Sequence, residues 1–316
     1  MYHGEEAIEM EWVVGPIPVD DGVGKEIIAL YCTDIASEET FYTDSNGRQM
    51  IQRKRNSRPT YEVDSVEPTS QNYYPVNSQI FIKDESDQLA VLVDRSQGGS
   101  SLKDGCLELM LHRRLLDDDA FGVGEALNEQ AYGTGLVAVG KHLVLLGQDI
   151  TKERKEKATE MFYQPLIVFQ KNADQKNMDV FPKLNIQLPE NVHILTLRKI
   201  LQPDEPDDTF ILLRLEHLYQ VGEHPDLNNP ATIYLTNMFS EVFLIEWARE
   251  TLLGGNLWKE EVDRLEWNKE DMGRLELSKE DEEESVKERA DGLNDIDMVT
   301  LLPMEIRTFI LKIVYL

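Results

Sequence analysis

LMLHRRLLDDDAFGVGEALNE, residues 109–129, reads as a strand that runs out into a structured, charged loop. Leu109 and Leu111 close a short apolar run that starts at Leu107. His112, Arg113 and Arg114 follow, then Asp117, Asp118 and Asp119, then glycines at 122 and 124. Core packing does not require that order of charges. The segment is expected at the end of a strand, aimed at something polar, with most of the remaining chain as its β scaffold.

Further short apolar runs bounded by turn residues lie outward from it. They are Ile80–Ile82, Leu89–Val93, Val137–Leu146, Val192–Leu197 and Ile211–Leu215. Near the start, Ile8, Met10, Trp12 and Val14 alternate with Glu9, Glu11 and Val13, the period of a strand. Asp44-Ser45-Asn46-Gly47 carries the Asn-Gly signal of a tight hairpin. Gly98-Gly99 reads as a break between strands, and Asp149–Glu160 fits a short helix or a loop equally. Long amphipathic helices between strands are missing from the pattern, which argues against a doubly wound fold. The expected class is mainly β: an antiparallel β-sandwich architecture in two β units with few helices. PDEPDD, Pro203–Asp208, suggests the linker, so a first sandwich region is drawn over 1–200 and a second β-rich region over 201–316. The second holds an acidic stretch, Lys259–Asp291, with 14 acidic and 7 basic residues, expected as a solvated loop. The closing MEIRTFILKIVYL is suited to insert into a sheet and tie that half down.

A chain of 316 residues is long enough for a substantial core. Its formal charge of −27 argues against nucleic acid and anionic membrane as partners, since both need a cationic face. The same charge is compatible with an acidic compartment. No run of about 18 apolar residues suggests a membrane helix. A chain that opens almost inside a strand reads as a piece of something longer. Cys32 and Cys106 fit one disulfide and two buried thiols alike.

Local motifs assign little chemistry. Arg113 and Arg114 can contact a substrate or brace the loop by pairing with Asp117–Asp119. Three adjacent aspartates cannot converge on one cation, and the spacing of a calcium loop is absent. Gly122-Val123-Gly124 lacks the third glycine of a dinucleotide fingerprint, and the six histidines form no zinc motif. Tyr73 and Tyr74, in NYYPV, can brace a sheet corner or pack on a sugar face.

Longer segments are more specific. EWVVGPIPVDDGVGKE (11–26), FYTDSNGRQM (41–50), NYYPVNSQIFI (72–82), LAVLVDRSQGGSSLKDGCLELMLHRRLLDDD (89–119), GVGEALNE (122–129) and LLPMEIRTF (301–309) together resemble the C-terminal, light piece of retaining α-mannosidases of the lysosomal or plant vacuolar type, glycoside hydrolase family 38. The resemblance implies a non-catalytic β-rich portion of an enzyme that removes terminal α-mannose from glycans. It places the aspartate nucleophile, the acid/base and the catalytic zinc in an N-terminal heavy chain, with no catalytic or metal residue in this one. It implies partnership with that heavy chain and a mannose-containing glycan, allows a dimer of heavy–light pairs, and points to vacuole, lysosome or secretion. His112, Arg113, Arg114, Asp117, Asp118, Asp119, Phe121, Tyr73 and Tyr74 are then expected to line or support the cleft. Ala120-Phe121 stands where the family often has an arginine before the first glycine. A freestanding β-sandwich carbohydrate-binding module is the alternative.

Overall fold

The runs Gln79–Lys83 (β6) and Gln88–Val93 (β7) are apolar at nearly every position because both of their faces are covered. The computed structural model describes residues 7–64, 66–122, 124–167, 169, 188–201, 208–262 and 297–315. The chain is mainly β and divides into two compact units, Met1–Phe169 and Gln170–Leu316. Val192–Ile200, which a boundary near 200 would assign to the first region, pairs with Thr209–His217 in the second unit. Most of the linker signal at Pro203–Asp208 and of the acidic stretch after Val262 lies outside the described residues.

In the first unit, Ile8–Val14 (β1), Thr40–Ser45 (β3), Gln49–Lys54 (β4), β6, β7 and Ala138–Gly147 (β12) form a six-stranded sheet in the order β1-β12-β7-β6-β3-β4. Lys25–Cys32 (β2), Tyr74–Val76 (β5), Gln97–Ser100 (β8) and Cys106–Arg114 (β9) form a second, in the order β2-β9-β8-β5. Gln130–Ala131 (β10) and Thr134–Gly135 (β11) make a small hairpin. Phe41, Ile80, Ile82, Val91 and Val93 of the larger sheet meet Val76, Leu107 and Leu109 of the smaller across the core. The opposite face of the larger sheet, with Phe81, Ala90, Leu92 and Leu145, is covered by Ile150 and by Ala158 of helix α1, Thr151–Phe162. This helix resolves the ambiguous Asp149–Glu160 segment. Strand β2 alternates between half-buried and exposed positions because the outer face of its sheet is open.

Gly98 and Gly99 do not interrupt a strand; they lie inside β8. A Cβ on Gly99 would stand 2.7 Å from Val76 Cγ2, and one on Gly98 would press on the Tyr73 ring at 3.1 Å. Close approach by neighbouring side chains selects glycine here, not a turn. The Asn46-Gly47 turn forms as expected, with both residues left-handed. Asp44 fixes it: Oδ2 accepts from Gly47 N at 2.7 Å, while Oδ1 accepts from Asn77, Ser78 and Gln79 N. Cys32 and Cys106 are register partners across β2 and β9 and form a disulfide.

A polar chain also crosses this core. Tyr31 OH donates to His142 Nδ1 at 2.8 Å, His142 Nε2 donates to Gln97 Oε1 at 2.7 Å, and Gln97 Nε2 donates to the Met110 carbonyl. His142 sits in β12 and its two partners in the facing sheet, so neutral imidazole stitches the sandwich together. Burial holds the His142 pKa down at about 4; Asp94 works against this and Arg95 with it.

The second unit pairs Val192–Ile200 (β13), Thr209–His217 (β14), Phe243–Thr251 (β16) and Ile306–Tyr315 (β18) in the order β13-β14-β18-β16. The closing segment of the chain is thus a central strand. Ala231–Tyr234 (β15), Met298–Leu301 (β17) and the short helix Leu235–Phe239 (α2) cover one face through Ile233, Val299, Met238 and Phe239. Buried Glu250 accepts from Arg307 Nη2 at 2.6 Å and from Lys259 Nζ at 2.5 Å. Burial alone would raise its pKa, but the Arg307 and Lys259 hydrogen bonds and charges outweigh that and hold it low.

Candidate functional site

The 109–129 segment does leave the end of a strand. Ile27 pairs with His112 and Ile28 with Met110, so Leu111 is an extra residue in β9, a bulge that re-aims the side chains after it. His112 Nε2 donates to the Leu136 carbonyl at 3.1 Å. Arg114 reaches across the end of the sandwich: Nη1 donates to the Ile17 carbonyl at 2.8 Å and Nε to Asn128 Oδ1 at 2.7 Å. A Cβ on Gly135 would stand 2.6 Å from Arg114 Nη1, so glycine lets the guanidinium lie flush against β11. Leu115 N donates to the Leu127 carbonyl at 3.0 Å and closes the base of the loop between them. One arginine therefore fixes three chain segments, and its rigid fork of donors suits the task.

The expected pairing of Arg113 and Arg114 with the aspartates does not form. Arg113 faces Glu26, its register neighbour, at 3.6 Å with both groups exposed, a contact of little energetic weight. Asp118 and Asp119 instead accept from the backbone two residues on, Ala120 N at 3.1 Å and Phe121 N at 3.0 Å. They shape the turn locally, which is what short carboxylates do when backbone donors are nearer than any cation. Asp117 is exposed at the start of the loop. Ala120, Gly122 and Gly124 all have positive φ, and Phe121 between them is 93% exposed.

The two tyrosines are not brought to this loop. Tyr73 lies against Gly98, and its hydroxyl donates to Glu108 Oε1 near the start of β9. Burial first, then that hydrogen bond, pushes its pKa well above the ordinary tyrosine value. Tyr74 meets Phe41 edge-on, with Arg53 at 4.3 Å and Arg58 at 5.2 Å over its ring. Both guanidinium groups lie within cation–π distance of that ring. Among the described residues no three His, Cys, Asp or Glu side chains gather into a cation site. Sequence reasoning missed Asn128 and the carbonyls of Ile17 and Leu136. Backbone acceptors leave no mark in a sequence; only Gly135, where a side chain would collide with Arg114, carries a trace of the contact.

The architecture defines a mainly β protein whose first unit carries a braced, carboxylate-bearing loop after β9. Residues 1–121 match the family model "Glycosyl hydrolases family 38 C-terminal domain". The chain aligns over 99% of its length with lysosomal alpha-mannosidase of Bos taurus at 43% identity, covering 30% of that protein. The human lysosomal alpha-mannosidase is 41% identical over the same shares, and the alpha-mannosidase of Canavalia ensiformis 36% identical, with 99% of this chain and 32% of that protein aligned. The whole chain spans about a third of the length of the relatives it matches.

Proposed function

We propose that the chain is the non-catalytic β-rich portion of a zinc-dependent retaining α-mannosidase that removes terminal α-mannose from glycans. It buttresses the catalytic part and contributes one wall of its cleft through the 112–129 loop. The nucleophile, the acid/base and the zinc belong to the remaining polypeptide, the heavy chain of a split enzyme. The observation that carries this reading is end-to-end alignment with α-mannosidases at 36–43% identity. Arg114 and His112 act as positioning residues, holding the loop in one shape before anything binds. Asp118 and Asp119 set its turn, and Tyr73 and Tyr74 brace the distant strand ends. The Cys32–Cys106 disulfide favours an oxidising compartment, in keeping with a lysosome or vacuole.

Native mass measurement of material purified from its source, followed by a denaturing gel and an α-mannoside hydrolysis assay, tests the reading. The expected result is a larger co-purifying polypeptide with zinc and activity in the complex alone. Full α-mannosidase turnover by the 316-residue chain by itself would overturn it.

A further inference from the structure

The larger sheet of the first unit ends at β4, and β4 with the turn after it carries positive charge that the protein does not balance. Arg53, in β4, and Arg58, beyond the turn, both stand over the ring of Tyr74, 4.3 Å and 5.2 Å from its centroid. Every hydrogen bond these two guanidinium groups make goes to a neutral acceptor. Arg53 Nε donates to Thr43 Oγ1 at 3.1 Å, and Arg58 donates to the Ser57 and Gln71 carbonyls. Among the described residues, Arg53 Nη1 and Nη2 and the Tyr74 hydroxyl have no hydrogen-bond partner, and no carboxylate pairs with either arginine. Burial lowers the Arg53 pKa, and the charge of Arg58 adds to that against an opposing effect of Tyr74.

Arg55, between the two in the chain, shows the contrast. Its guanidinium meets Asp104 at 2.8 Å and Glu39 at 3.8 Å. The chain has 59 acidic side chains against 32 basic ones, so carboxylates are not scarce. Half-buried like charges around one ring repel each other and lose hydration, which opposes folding when no counter-ion is present. An arrangement kept against that cost points to an anion supplied from outside. The turn is also fixed in advance. Fully buried Asn72 accepts from Asn56 N at 2.8 Å, and its Nδ2 donates to Asn56 Oδ1 and to the Pro68 carbonyl. Asn56 is left-handed, and Lys54 and Ser57 bridge across the turn. Donors ordered before binding lose little conformational freedom when a ligand arrives.

Guanidinium forks match the paired oxygens of phosphate, sulfate and carboxylate groups. Two positive charges with an open hydroxyl beside them suit a divalent anion, since a single carboxylate would leave one charge unbalanced. The net charge of −27 repels anions at a distance, but salt confines that field to about 8 Å at physiological ionic strength. Short-range donors therefore decide whether an anion is held.

We propose that Arg53, Arg58 and Tyr74 form a binding site for a divalent tetrahedral oxyanion, a phosphate or sulfate group that is free or carried as a monoester. The site does not depend on the function proposed above.

The test titrates the purified protein, with any larger polypeptide that accompanies it, by calorimetry at constant ionic strength. Inorganic sulfate, inorganic phosphate, methyl phosphate and acetate are compared for wild type and Arg53→Gln/Arg58→Gln. Sulfate and phosphate are expected to bind wild type with a Kd below about 1 mM, and the double variant at least about tenfold more weakly. The same anions should raise the melting temperature of wild type and leave that of the variant unchanged, because binding to the folded state stabilises it. Methyl phosphate that binds as tightly as inorganic phosphate supports the site with a monoester as ligand; inorganic phosphate alone supports it with the free ion. If the double variant does not fold, Arg58→Gln alone carries the decision. Acetate that binds as tightly as sulfate overturns the assigned class. A wild type that binds neither sulfate nor phosphate, or a variant that binds them unchanged, overturns the site.

Discussion

Replacing His142 by glutamine should change how the stability of the first unit depends on pH. In the fold this imidazole is buried, accepts from Tyr31 and donates to Gln97, and its pKa lies at about 4 against an ordinary 6.5. The depressed value means that the native state refuses a proton which the unfolded chain accepts. The stabilisation is complete above pH 6.5, falls as the pH drops from there, and is spent once the pH passes below about 4. At about 1.4 kcal/mol per pH unit, the interval corresponds to about 3 kcal/mol. Many carboxylates titrate in the same range, so the informative quantity is the difference between wild type and His142→Gln, in which their contributions cancel. Urea melts at pH 7, 5.5 and 4 supply it. The wild-type advantage should shrink by about 3 kcal/mol between pH 7 and pH 4, with most of the loss below pH 6. Trp12, whose ring centroid lies 6.0 Å from that of His142, offers a local fluorescence probe. A difference that stays constant to within about 1 kcal/mol over this range would refute the reasoning, because the imidazole would then titrate alike in both states.

Arg114→Ala should destabilise the first unit by about 1–3 kcal/mol, since it removes charge-assisted bonds to Ile17 and Asn128. Lysine should not restore the loss, and on the function proposed above α-mannosidase kinetics of the complex should fall alongside; unchanged melting and kinetics would dismiss the brace. Replacing both Cys32 and Cys106 by alanine should cost about 2–4 kcal/mol in chemical denaturation, as expected for a bridge spanning 74 residues. Glu250→Gln should cost about 2–4 kcal/mol, because Arg307 then keeps a buried charge without its counter-ion. As the folded Glu250 pKa is lowered, the wild-type advantage should be present above about pH 4.5 and shrink as the pH falls through the lowered value.

Particular elements mark how far the sequence was legible. Continuous apolar character in β6 and β7 reports that both of their faces are covered, and that information is local. The Asn46-Gly47 turn was legible for the same reason, because left-handed backbone selects residues directly. Gly98-Gly99 misled, since glycine answers equally to a turn and to a neighbour's side chain, here those of Tyr73 and Val76.

The candidate site divides in the same way. Asp118 with Ala120 and Asp119 with Phe121 bond within two positions, so a charged, turn-rich loop after β9 could be read from the letters alone. Arg114 finds Ile17, 97 positions away, and Tyr31 finds His142, 111 positions away. Sequence by itself determined the β class, the turn chemistry and the likeness to α-mannosidases. Only the tertiary structure decided the arginine's partners, the disulfide and the buried imidazole, because those depend on which distant strands become neighbours once apolar faces are removed from water.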